Sequence, residues 1–168
     1  MAAELCAAAA RLGARPEARR GSRPPIASLD RFHPIGRSTT TRLEVPVENG
    51  EGFRAGRGWL ASEAWGCRVA EGGGRLAFAL SLEAVTSSLT LAVRLVAPHR
   101  IGCSVTIGTV TGNLAPDERR AFLCPIEPDA SGSVSVCITS SPLPGSALSS
   151  CGDRVGIEGF KIRHGEAD

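Results

Sequence analysis

Aromatic residues are scarce in this chain: five Phe, two Trp and no Tyr among 168 residues, and Met1 is its one methionine. So few rings argue against a flat stacking platform of the kind that grips crystalline polysaccharide, because the core claims most of the large rings. Lysine is nearly absent as well, since Lys161 is the one cationic side chain that is not Arg. The six cysteines, Cys6, Cys67, Cys103, Cys124, Cys137 and Cys151, form no CxxC pair, and no His stands at ligand spacing from any of them. That removes the common zinc patterns and predicts no metal site. No apolar stretch approaches the roughly 20 residues a membrane-spanning helix needs. The N-terminus is not patterned as a secretory leader: Glu4 precedes the Ala run and no basic region leads it. These absences predict a cytoplasmic protein with no membrane span and with reduced thiols.

Catalytic patterns are missing too. His33, His99 and His164 are scattered, and no nucleophile-elbow motif accompanies them. Gly72-Gly73-Gly74 lacks the Lys and the helix of a phosphate loop. No Asp-rich calcium loop occurs. Glu63 and Glu158 are the acids to nominate for a glycosidase pair, but nothing in the sequence brings them together. The expectation is a protein without catalytic residues and without a cofactor.

What is present divides in two. Residues 1–37 hold seven Arg against Glu4, Glu17 and Asp30, a net of +4, so the remainder carries −2 of the overall +2. Residues 4–12 allow a short Ala-rich helix, and from Ala14 to about Thr40 Pro16, Pro24, Pro25 and Pro34 interrupt any period. This reads as a short helical or disordered arm over residues 1–40. The arm is basic, but one aromatic, Phe32, and no following nucleic-acid fold predict no nucleic-acid partner.

Beyond Thr41 the hydrophobic period changes to two. Leu43, Val45 and Val47 alternate, as do Leu76, Phe78, Leu80 and Leu82, then Leu89 to Leu95. Cys103, Val105 and Ile107 follow, then Phe122, Cys124 and Ile126, then Val134, Val136 and Ile138. In the last segment Val155 and Ile157 are out of phase with Phe160 and Ile162, which places a β-bulge at Glu158-Gly159. Each such strand buries one side and wets the other. Seven or more of them predict an all-β, antiparallel two-sheet β-sandwich, jelly-roll-like, over residues 41–165. Pro116 to Arg119 fits one helical turn or a β-turn. Two loops stand out, the Gly-rich 49–58 and the Ser/Pro/Gly-rich 140–153; long loops in compact domains are functional or disordered.

One cluster has a distinctive form. Gly58-Trp59-Leu60-Ala61-Ser62-Glu63-Ala64-Trp65-Gly66 reads G-W-x-x-x-E-x-W-G, an amphipathic strand follows, and the chain closes on Arg154-Val155-Gly156. Residues 42–163 thereby resemble a β-sandwich domain, similar to carbohydrate-binding modules, that accompanies bacterial glycosyltransferases. Relatives often continue W-G-x-W, whereas Arg68 stands at that place here. The resemblance implies a non-catalytic accessory module with a glycan or a glycosyltransferase as partner, and it makes Trp59, Glu63, Trp65 and Arg68 the candidate ligand-binding residues. Against that stands a structural reading in which both Trp are core and Glu63 receives an indole N–H. The alternative function is an interaction or self-association domain that uses its strand edges. The oligomeric state is not legible in the residues.

Overall fold

The computed structural model describes residues 24–36, 50–81, 88–145 and 154–165. They form two antiparallel sheets packed face to face, as the alternating pattern predicts. The strands are β1 (Phe32–Pro34), β2 (Arg54–Ala55), β3 (Trp59–Ser62), β4 (Cys67–Val69), β5 (Gly74–Ala79) and β6 (Leu89–Val96). They continue as β7 (Cys103–Ile107), β8 (Val110–Leu114), β9 (Arg119–Ile126), β10 (Ser133–Pro142) and β11 (Gly156–His164). A 3-10 turn, Gly50–Phe53, precedes β2.

One sheet runs β3-β4-β11-β6-β9 with β1 also on β11, and the other runs β2-β5-β10-β7-β8. From β6 onward the chain alternates between the sheets, with β7 and β8 as a hairpin. The inward phase of each strand supplies the core: Leu91, Val93 and Leu95 of β6 face Leu76, Phe78, Val105, Ile107 and Ile138 of the other sheet, and all are buried. Each such side chain contributes roughly 1.5–3 kcal/mol when fully removed from water. Phe160 is the centre of a ring cluster, stacked on Phe78 (5.1 Å) and met edge-on by Phe53 (5.1 Å).

The bulge expected at Glu158-Gly159 is present: the β11–β6 register shifts between Ile157 and Gly159. It returns Phe160 and Ile162 to the core side and turns Glu158 aside. At Pro116 the chain makes a β-turn rather than a helical one. Glu118 N–H donates to Ala115 O (3.1 Å) with Asp117 at φ 60°, a conformation that Asp tolerates.

The main difference from the sequence reading concerns the arm. Its described part, residues 24–36, is packed on the sandwich, so the edge expected near Thr40 does not coincide with the edge of the folded chain. Ile26 and Ala79 form a short parallel bridge, with Ala27 N–H donating to Ala79 O (2.8 Å) and Ala79 N–H donating to Pro25 O (2.9 Å). Ile35 N–H donates to Glu158 O (3.0 Å), and Ile35 is fully buried. His33, read from sequence as a linker residue, is buried between Phe160 (5.1 Å) and Phe53 (5.2 Å) and accepts from Ser28 N–H at 3.1 Å. The physical reason is that three residues suffice to extend a sheet edge, and a three-residue strand carries too little period to be read. The rest of the arm, the 43–47 alternation, Leu82 and the part of the long loop from 146 to 153 lie outside the described residues.

Candidate functional site

The four candidate residues are divided by a single hairpin. β3 and β4 are joined by the turn Glu63-Ala64-Trp65-Gly66, closed by Glu63 N–H to Gly66 O (2.9 Å). Trp59 enters before the turn and points inward. It is 8% exposed, and its indole N–H donates to Ala55 O at 3.2 Å. This is a satisfied core indole, as the structural reading anticipates for both Trp.

Trp65 is on the surface side of the turn and half-buried. Its N–H donates to Glu63 Oε2 (2.8 Å), the partner proposed from sequence. Arg68 lies over the ring, its guanidinium carbon 5.3 Å from the centroid, and its Nε is 3.4 Å from Glu63 Oε1. Arg68 Nη1 also donates to Arg154 O (3.1 Å). Trp65, Glu63 and Arg68 are thus brought together, and Trp59 is not. The arrangement sets an apolar ring edge beside a carboxylate and a guanidinium, groups that can hydrogen-bond a polyol.

Beneath Trp65 lies Gly156 of β11, paired with Arg68 on one side and Val96 on the other. A β-carbon there would collide with the six-membered part of the indole. The glycine is what lets the ring lie against the sheet.

The hairpin is held from the core side by a buried polar knot that sequence reasoning missed. Arg54 pairs with Glu51 (3.1 Å) and donates to Cys67 Sγ (3.1 Å). Ser62 Oγ donates to Glu51 (2.6 Å), and Cys67 Sγ donates to Leu60 O (3.1 Å). Burial pushes the Cys67 thiol above its ordinary range, and the Arg54 guanidinium pulls it part of the way back. The knot ties the Gly-rich loop to β3 and β4, so that loop is built structure from Gly50 onward. Its signal, an E-x-x-R pair at i,i+3, is too common to single out.

Glu158 lies behind Gly66, and Arg119 (2.9 Å) and Arg94 (3.8 Å) hold its carboxylate. Both nominated acids are therefore engaged with guanidinium groups. Among the described residues no group of three His, Cys, Asp or Glu is placed to hold a metal ion. Cys67, Cys103, Cys124 and Cys137 are free thiols. No helix of the described residues is long and apolar enough to cross a membrane.

No family model matches the chain, and no curated protein and no solved structure matches it either.

Proposed function

We propose that this protein is a non-catalytic binding module of a bacterial glycosyltransferase or polysaccharide system and that it contacts glycan through Trp65, Glu63 and Arg68. The observation that carries the reading is the convergence of these three side chains on one surface turn, with Trp59 withdrawn to the core. A C–H face of a sugar ring stacks on an indole, and the carboxylate and guanidinium beside it hydrogen-bond hydroxyls. Arg68 lies over the ring at 5.3 Å, so a sugar that stacks on the indole displaces the guanidinium toward the ring edge, where it donates to a hydroxyl. Titration with a panel of neutral bacterial surface glycans tests the reading. Binding that disappears in Trp65→Ala and survives in Trp59→Phe supports it. No binding by any glycan at millimolar concentration rejects it.

A second reading, an interaction or self-association domain without sugar binding, has its own observation. The outer face of the five-stranded sheet carries Ser104, Thr106, Ser135, Cys137, Thr139 and Ser141, with Arg75 the lone charge beside them on β5. Depletion of charge marks the core of protein interfaces. Light scattering on the wild type and on Ser135→Lys separates the readings: a stable oligomer dispersed by the lysine, with no glycan affinity, favours this one.

A further inference from the structure

The outer face of the six-stranded sheet repeats the Trp65 arrangement a second time. β1 and β4 occupy the same edge of β11, one after the other, so the residues they carry share a face. Phe32 of β1 lies over Gly159 much as Trp65 lies over Gly156; a β-carbon at Gly159 would stand 2.5 Å from Phe32 Cζ, and also 2.4 Å from the backbone oxygen of His33. Each ring is topped by a guanidinium, Arg68 over Trp65 at 5.3 Å and Arg94 over Phe32 at 5.1 Å. Neither glycine needs its freedom of φ, since both lie outside the positive-φ set. Their shared property is that a ring rests on them. Gly156 pairs with Val96 and Gly159 with Arg94, two residues apart on β6, which spaces the platforms by about 7 Å along the strand. Phe32 keeps 40% of its surface in water.

The charge around the rings is positive. Arg94 and Arg119 share the single carboxylate of Glu158, which is itself only 14% exposed, so one positive charge is left over. Arg163, outward on β11, is exposed and has no ion pair among the described residues. Lys161 is balanced by Asp30 at 3.8 Å and Arg68 by Glu63. Among the described residues of these ring and ion-pair clusters, the five cations Arg68, Arg94, Arg119, Lys161 and Arg163 meet the three anions Asp30, Glu63 and Glu158, an excess of two. Nucleic-acid surfaces carry a stronger basic excess. A chain of sugar rings bearing an occasional acid group matches two ring platforms with a modest positive surplus.

We propose that this face binds an acidic polysaccharide running over β11, with Trp65 and Phe32 under successive parts of the chain and Arg94, Arg119 and Arg163 pairing its carboxylates. The proposal rests on the sugar-binding reading of the Trp65 turn and names the class of sugar.

Oligogalacturonate and its fully methyl-esterified form are the probes, because esterification removes the charge while it keeps the sugar backbone and linkage. The acid form is expected to bind about tenfold tighter or more, the scale of a charge-assisted hydrogen bond. That preference is expected to shrink as NaCl is raised. Phe32→Ala and Arg94→Gln each weaken the acid form several-fold at unchanged melting temperature. Arg75→Gln, on the opposite sheet face, removes the same charge without effect. Equal binding of both forms, or Arg94→Gln without effect, overturns the acidic-sugar proposal; Trp65-dependent binding of neutral glycan would then leave the broader reading intact. Tighter binding to duplex DNA or to phosphatidylglycerol vesicles also overturns it. If Phe32→Ala lowers stability and leaves affinity alone, the ring is merely a cover for Gly159 and the proposal fails. No affinity for any glycan, neutral or acidic, defeats both readings.

Discussion

Trp59 and Trp65 stand six positions apart in one motif, yet the sandwich treats them oppositely. Trp59 is a wall of the core: its N–H is satisfied by the backbone carbonyl of Ala55 (3.2 Å), and little of it meets water. Trp65 lies on the outside of the sheet, its N–H satisfied by a surface carboxylate (2.8 Å) and its ring resting on a glycine. The difference arises at the turn. The β3–β4 register is irregular between Trp59 and Ser62, and Glu63 to Gly66 then reverse the chain, so strand alternation does not carry from one indole to the other. A backbone partner makes a rigid core residue; a side-chain partner leaves a group that a ligand can address.

The largest effect expected from this contrast is on stability. Trp59→Ala should cost about 3–5 kcal/mol, the range for emptying a large buried aromatic site. Trp65→Ala should cost about 1 kcal/mol, the ordinary figure for a partly exposed side chain. Chemical denaturation measures both, and equal costs would erase the distinction between the indoles. The same pair separates by fluorescence. Trp59→Phe leaves red-shifted emission that acrylamide quenches, and Trp65→Phe leaves blue-shifted, protected emission.

A smaller effect is expected from Gly156→Ala. The added methyl collides with the end of the Trp65 ring, which can swing outward, so stability should change by no more than about 1 kcal/mol while glycan affinity falls. Full affinity in that variant would mean that the seat of the ring is irrelevant to binding.

Next is the thiol beneath the hairpin. Cys67 is buried with its pKa pushed up by desolvation, and Cys137 is exposed on the opposite sheet. Its neutral form is the one the folded state favours. The stabilisation it lends is therefore complete below the ordinary thiol range and is lost as pH rises through the raised value. Iodoacetamide at neutral pH should label Cys137 well ahead of Cys67, with Cys67 labelled only as the solution becomes alkaline. Peptide mass spectrometry reads the order, and early labelling of Cys67 would show that the core side of the hairpin opens.

The smallest effect belongs to a turn far from either indole. The Ser131 hydroxyl, then the backbone N–H groups of Ser133 and Ser131, hold the Asp129 carboxyl below its ordinary value. The contribution is present above the ordinary carboxylate range and is lost as pH falls through the lowered one. A mild acid loss of stability should be seen that Asp129→Ala lacks, with the emission of both Trp unchanged. A shift in Trp65 emission over that pH interval would tie the turn to the ring face.

Much of this fold is legible in the residues. The inward phase of β6, β7, β9 and β10 reads directly from alternation, and the bulge reads from the slip between Ile157 and Phe160. β8 is harder, because Thr111 to Asn113 contain no apolar residue. β1 and β2 hold three residues and two, too few to establish a period. The motif lies on a single hairpin, and Glu63 is the N–H partner of Trp65 that the motif suggests. It grouped Trp59 with the surface residues because a spacing of six across a turn does not tell inside from outside. Phe32, Arg94 and Arg119 were not selected, since each is an ordinary surface residue until its neighbours are known.

By itself, then, the sequence determined the class of fold, the core phase of the longer strands and the position of the bulge. These are local properties, set by which side of one strand a side chain takes. Only the tertiary structure decided that Trp65 and not Trp59 faces outward, that residues 24–36 belong to the sandwich, and that Phe32 and Trp65 rest on two glycines of the same strand. Those facts depend on how strands meet: the irregular β3–β4 pairing for the two Trp, and contacts between segments distant in sequence for the rest, such as Ala27 with Ala79, Trp65 on Gly156 and Phe32 opposite Lys161. Register is fixed by the collective burial of both sheets rather than by any one segment.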